Sequence, residues 1–247
     1  MKIRKSLVLW ACLAVAIGTM SAAAPALAGK LAAFNLAVAD AYRHFRGAAF
    51  YLRTGNAMVA SFELEDMAKK WRALESRFRD APPDAFADDP AWRRTLGEIG
   101  ARANKALAAA EDGDTKAAAT VLLPVRRILA RLRARNGVRV FSDCINKANR
   151  VGDAIWAFRA NPPDFDDRAR VDQLRDLSAV VSYVFKRCGE EAPVEIRDDE
   201  AFRRPIRGAQ EEMARVRLAI RTLDARLLSV ALGQFRSFDR ILFLKFG

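Results

Sequence analysis

Arginine carries most of the chemistry this sequence has to offer, and its placement is patterned. Asp88-Asp89-Pro90-Ala91-Trp92-Arg93-Arg94 returns as Asp198-Asp199-Glu200-Ala201-Phe202-Arg203-Arg204. Two chemistries fit this element. In the simpler one it is structural: the Asp pair caps a helix and suits the positive end of its dipole. The aromatic residue then anchors the helix start, and Asp89 pairs with Arg93, and Asp199 with Arg203, one turn on. In the other, Arg93, Arg94, Arg203, Arg204 and Arg207 form equivalent clusters that receive an anionic group, a task suited to the planar fork of guanidinium donors. A third basic group lies before the midpoint of the chain. Arg126, Arg127, Arg131, Arg133 and Arg135 share one helical stretch, and Arg127, Arg131 and Arg135 stack on one face of it. Such a face binds an acidic partner or is simply solvated.

Residues for other chemistry are few. His44 is the only histidine, and Asp40 lies one turn before it. An imidazole and a carboxylate at that spacing could touch a metal, but two ligands do not make a site, so Asp40 and His44 are weak metal candidates. A lone histidine also removes most His-based acid–base schemes. No Glu-x-x-His pair occurs, which excludes the usual ferritin-like di-metal centre. Cys144 and Cys188 are expected at the meeting ends of a helical hairpin. Their counterparts 110 residues earlier are Phe34 and Phe78, both on apolar stripes, so the cysteines face inward and are expected to form a structural disulfide in an oxidising compartment.

The elements that must hold these residues are helices. Leu31, Phe34, Val38, Ala41, Phe45, Ala48 and Leu52 recur at spacings of three and four; Phe141, Cys144, Ala148, Val151, Ile155 and Phe158 do the same about 110 residues later. Leu64, Met67, Trp71, Leu74 and Phe78 are followed at that offset by Leu174, Leu177, Val181, Val184 and Cys188. Stripes of this kind mark helices with one face on a core. Thr54-Gly55-Asn56, Pro82-Pro83, Gly113-Asp114 and Asn136-Gly137 break the first half where four helices need breaks. Asn161 to Asp164, Gly189 to Pro193 and Thr222-Leu223-Asp224 break the second. Asp89-Pro90 reads as a helix start. The expected fold is all-α: two tandem up-down four-helix bundles over residues 29–137 and 138–247, related by an internal repeat. One continuous helical solenoid is the alternative. The last helix, Phe235 to Phe246, is apolar on more than one face and must be deeply buried or present a greasy contact surface.

This architecture resembles that of cytochromes c′ and b562, and the resemblance is one of fold alone. Cys-x-x-Cys-His is absent, so covalent haem attachment is excluded. A non-covalent site would have to pair His44 with a methionine such as Met58, Met67 or Met213, which read more simply as core filler. No cofactor is called for.

Lys2, Arg4 and Lys5, the apolar run Leu7 to Ile17, and Ala26-Leu27-Ala28 together read as a secretory signal peptide over residues 1–28. A periplasmic address is expected, with no transmembrane segment after cleavage. About 220 residues then remain, enough for a substantial core. The formal charge of the whole chain is +12, of which the leader carries three. Outside the cytoplasm nucleic acid is not an expected partner, and no aromatic–basic platform of the single-strand-binding kind occurs. The function expected is non-enzymatic binding of an acidic periplasmic partner. The alternative is a bundle that holds haem, a metal or a small anion.

Overall fold

In the computed structural model, which describes residues 23–247, the chain is all-α. The leader expected over residues 1–28 lies for the most part outside the described residues. The first half runs through α1 (Ala23–Arg53), α2 (Ala57–Phe78), a 3₁₀ turn (Asp84–Phe86), α3 (Trp92–Glu111), α4 (Thr115–Leu122) and α5 (Pro124–Arg135). The second runs through α6 (Phe141–Ala160), α7 (Arg168–Glu190), α8 (Val194–Arg197), α9 (Glu200–Thr222) and α10 (Ala225–Phe246).

Short polar side chains start several of these helices by accepting a bond from a free backbone N–H of the first turn. Asn56 accepts from Val59 N at 3.1 Å, Asp114 from Ala117 N at 2.8 Å, Asp167 from Arg170 N at 3.1 Å, and Asp224 from Leu227 N at 2.8 Å. Some helix ends fall at or just before residues with positive φ. Gly113, at +80°, follows α3; Leu223, at 54°, occupies the corresponding place after α9, where its side chain makes the left-handed conformation unfavourable.

Two departures from the expected helix limits have physical causes. The fourth helix of the first half is broken at Leu123, because Pro124 cannot donate to the carbonyl four residues back. Its counterpart α10 has no proline and is continuous. The Asp89-Pro90 start is also displaced: α3 begins at Trp92. Asp89 Oδ1 instead closes a short turn with Ala91 N at 2.9 Å. Asp199 does cap α9 directly, accepting from Ala201 N at 2.8 Å.

The apolar stripes bury as two clusters. In the first, α1 packs on α2, α2 on α3, α3 on α4, and α4 back on α1, around Phe45, Leu64, Met67, Trp71, Leu96 and Leu122. In the second, α6 packs on α7, α7 on α9, α9 on α10, and α10 back on α6, around Ile155, Phe185, Met213, Val216, Leu232 and Phe235. Helix α10 serves both: Phe235 and Leu242 point into the second cluster and Phe243 into the first. That accounts for its apolarity on more than one face. Met67 and Met213 are core residues, but Met58 is exposed, so it fills no core. Among the described residues no helix is long and apolar enough to cross a membrane.

Candidate functional site, a basic cleft between the two halves

The arginines singled out by sequence pattern do not meet. Arg93 and Arg94 are exposed at the start of α3, which packs on α2, α4 and α5. Arg203, Arg204 and Arg207 are exposed on α9, which packs on α7, α8 and α10. The one-turn pairs expected within the repeated element are not formed. Arg93 reaches Asp80 at 3.1 Å, and Arg207 reaches Glu200 at 2.9 Å. Asp89 is drawn to another helix end altogether. Its Oδ2 accepts from Arg135 Nε at 2.8 Å and from Asn136 Nδ2 at 2.7 Å. Burial alone would raise the Asp89 carboxyl; the bonds from Asn136, Arg135 and the Ala91 N–H outweigh it and hold the group below the usual carboxylate range. Arg135 also donates to Thr95 Oγ1 at 2.9 Å. It is therefore a strut tying α5 to the start of α3. Arg127 and Arg131 stay exposed, with no ion pair among the described residues.

Asp40 turns away from His44, to Lys70 at 2.6 Å and Arg43 at 3.1 Å. His44 Nδ1 instead bonds Glu63 Oε2 at 2.7 Å. Among the described residues no group of three His, Cys, Asp or Glu side chains is placed to hold a metal ion. Cys144 and Cys188 form a disulfide with Cα atoms 5.6 Å apart. Phe34 and Phe78, 110 residues earlier, touch edge to face with ring centroids 5.3 Å apart.

The densest polar chemistry lies where the halves meet. Tyr42 of α1 donates to Asn146 Oδ1 of α6 at 3.3 Å. Arg133, buried on α5, forms a two-pronged pair with Asp143 of α6. Arg126 donates to Asn149 and lies 3.5 Å from Asp153. Arg236 of α10 bonds Asp153 Oδ1 at 2.7 Å and Asp239 Oδ2 at 2.8 Å, and Asn149 Nδ2 donates to Asp239 at 2.9 Å. Beside Arg126, Asn149, Asp153 and Arg236 opens a cavity of about 490 Å³, walled by α1, α4, α5, α6 and α10. Arg53, Lys116, Arg126, Arg236 and Arg240 line it, with Asp153 as the carboxylate at its wall. Leu52, Leu123 and Phe243 supply an apolar side.

No family model matches this chain, and no curated protein or solved structure matches it. The reading of the site therefore rests on its geometry.

Apart from Arg126, a member of the basic stretch, the charged residues of the cleft were not among those that the sequence singled out. Two signals were available: Arg236 stands at the 110-residue offset from Arg126, and its own helix carries other charges. Arg236, Asp239 and Arg240 are charged residues set inside the apolar last helix, two of them one turn apart. Charge within a buried stripe marks a place where something polar must be met.

Asp239 shows what that placement costs. Its side chain is 1% exposed. Burial raises its carboxyl to about 6, against the opposing pull of Arg236 and the Asn149 hydrogen bond, and Asp153 adds to the rise. A carboxyl raised in the folded state holds its proton at a pH where the unfolded chain has lost it. Folding stability due to this group is therefore greatest at low pH and falls as pH rises through about 4 to 6. At pH 7 the buried carboxylate costs about 3 kcal/mol, and about half of that is recovered by pH 5. Urea unfolding of wild type and Asp239→Asn across this range is the measurement. Wild type should gain on the variant as pH falls; parallel profiles would show that the carboxyl is not raised.

Proposed function

We propose that the chain is an exported, periplasmic, non-enzymatic binding protein, built as two tandem four-helix bundles related by an internal repeat, whose partner is acidic. The observation that carries this reading is the outer face of α5. Arg127 and Arg131 stand one turn apart, exposed and without carboxylate partners among the described residues. Arg135, the next on that face, is held in place by Asp89 and Thr95. Exposed charge of one sign on a rigid helix steers an oppositely charged partner and contributes little to the fold itself. The ring-like packing of α1 to α4, and of α6, α7, α9 and α10, supports the two-bundle reading.

The geometry also selects the variant. Reversing Arg135 would set a glutamate against the buried Asp89 and damage the fold, so the face is tested by Arg127→Glu with Arg131→Glu. Pull-down from periplasmic extract should retain an acidic protein on wild type at low salt and lose it as salt rises past physiological strength, where screening acts over about 8 Å. The double variant should retain less at low salt and bind roughly tenfold more slowly, with unchanged unfolding. Equal retention of one partner by both proteins at both salt levels would show that the face is only solvated.

A further inference from the structure

The cleft between the halves holds more positive charge than the fold needs. Arg126 and Arg236 are engaged by Asn149, Asp153 and Asp239. Among the described residues no carboxylate comes within ion-pair distance of Arg53, Lys116 or Arg240. The Nε atoms of Arg236 and Arg240 are sealed from solvent and have no hydrogen-bond partner among the described residues. Arg53 is close enough to feel both of these arginines: burial, then the charge of Arg240, then that of Arg236, lowers its affinity for its proton, and the smaller opposing pull of Asp239 and Asp153 does not cancel them. Three guanidinium groups gathered here, Arg236 and Arg240 half-buried and Arg53 exposed at the mouth, repel one another, and the carboxylates on Arg236 offset this only in part. A fold that keeps such a group keeps a place for a counter-ion.

The rest of the cleft says what kind. Aromatic faces back three of its arginines: Arg53 lies over Phe50 at 5.4 Å, Arg126 over Phe243 at 5.8 Å, and Arg236 over Trp156 at 5.7 Å. A guanidinium stacked by its face keeps its donor edges for an oxyanion, and less side-chain entropy is lost on binding. Leu52, Leu123 and Phe243 form a wall with no polar demand. The cavity, at about 490 Å³, is the size of a small organic ligand and too large for a bare inorganic ion.

We propose that this cleft is the binding site of a small organic anion. Its phosphate or carboxylate group is held by Arg53, Arg236 and Arg240, and its apolar body lies against Leu52, Leu123 and Phe243. The site lies between the halves with Arg53 and Lys116 exposed at its mouth, separate from the Arg127 and Arg131 face of α5, so it stands or falls independently of the acidic-partner reading. Because the ligand bridges α1 and α10, it would also fasten the two halves together.

Calorimetry and thermal unfolding of the full chain test this with phenyl phosphate and benzoate as probes and inorganic phosphate as the body-less control. At least one organic probe should bind saturably, raise the thermal midpoint of the protein and exceed inorganic phosphate in affinity by about tenfold, because only it uses the apolar wall. Which of the two binds identifies the headgroup. Arg53→Gln with Arg240→Gln leaves the paired Arg126 and Arg236 in place. This variant should lose affinity by about a hundredfold, since it removes two charged hydrogen-bond donors. Its unliganded form should melt higher than wild type, because mutual repulsion has been relieved. A residue pair with a merely structural role would lower the melting point instead. Arg127→Glu with Arg131→Glu should bind the probe as wild type does. Failure of both organic probes to bind at millimolar concentration, binding that survives the Gln variant, or a lower melting point in that variant would each overturn the proposal.

Discussion

Reduction of the Cys144–Cys188 disulfide destabilises the second half of the chain by about 4 kcal/mol and leaves the first half unchanged. The bridge joins the start of α6 to the end of α7 and closes a loop of 44 residues. Freeing a loop of that length returns to the unfolded chain conformational entropy worth about 4 kcal/mol at 25 °C. Cys188 is fully buried and sits in the second apolar cluster, so the reduced thiols remain packed, and the effect is mainly one on the unfolded state. Amide hydrogen exchange with and without reductant is the suitable measurement. Protection in α6, α7, α9 and α10 should fall by up to about a thousandfold, while α1 to α4 keep theirs. Equal losses in both halves would show one cooperative core. Unchanged protection would show that packing alone closes the hairpin. Labelling of the unfolded, unreduced protein should modify neither cysteine.

Phe34→Ala costs about 3–5 kcal/mol, and that loss falls on the first half. Phe34 is 1% exposed and lies within 5.5 Å, centroid to centroid, of three rings: Phe78 at 5.3 Å, Phe86 at 5.4 Å and Trp92 at 5.1 Å. The substitution removes the apolar transfer energy of the ring and three aromatic contacts, and it leaves a cavity whose walls are themselves rigid rings. The aromatic packing at the 3₁₀ turn and the start of α3 is then reduced to the stack of Phe86 on Trp92, beside the Trp92 Nε1 bond to Phe78 O at 3.1 Å and the polar ties of Asp89 and Thr95 to Arg135. Urea unfolding of Phe34→Ala beside Phe62→Ala, an exposed phenylalanine on α2, checks this; the control should lie within about 0.5 kcal/mol of wild type. A small loss at Phe34 would mean that the neighbouring rings collapse into the space. Taken together, the two experiments separate two ways of closing the same kind of hairpin: a covalent bridge in one half and an aromatic cluster in the other.

The contrast between these halves also marks how far local sequence reaches. The all-α class follows from apolar residues every three or four positions, since that spacing places them on one face of a helix and on no face of a strand. Asn56, Asp114 and Asp224 act where they stand because a cap bonds only to N–H groups two or three residues away. The partnership of Cys144 and Cys188 was legible because Phe34 and Phe78, at the matching positions, lie on inward stripes. Pro124 broke its helix for an equally local reason, the missing N–H, and its meaning was there to be read. The pairing of charges was not. Asp89, expected to pair with Arg93 one turn on, is taken by Arg135, 46 residues away, and Arg236 bonds Asp153 on another helix as well as Asp239 on its own. A guanidinium ends a long flexible stem, and its partner is decided by which helix crosses beside it and at what register. The basic cleft belongs to this second kind of feature. Arg53, Lys116, Arg126, Arg236 and Arg240 lie on α1, α4, α5 and α10; the 110-residue offset relates only Arg126 to Arg236, and no motif relates the rest. Sequence alone determined the helices, their caps and the inward faces, because those depend on near neighbours. Only the docking of α1, α4, α5, α6 and α10 decided that five cations share one cavity, because that depends on the burial of Phe243 and the network around Asp153, which join residues far apart in the chain.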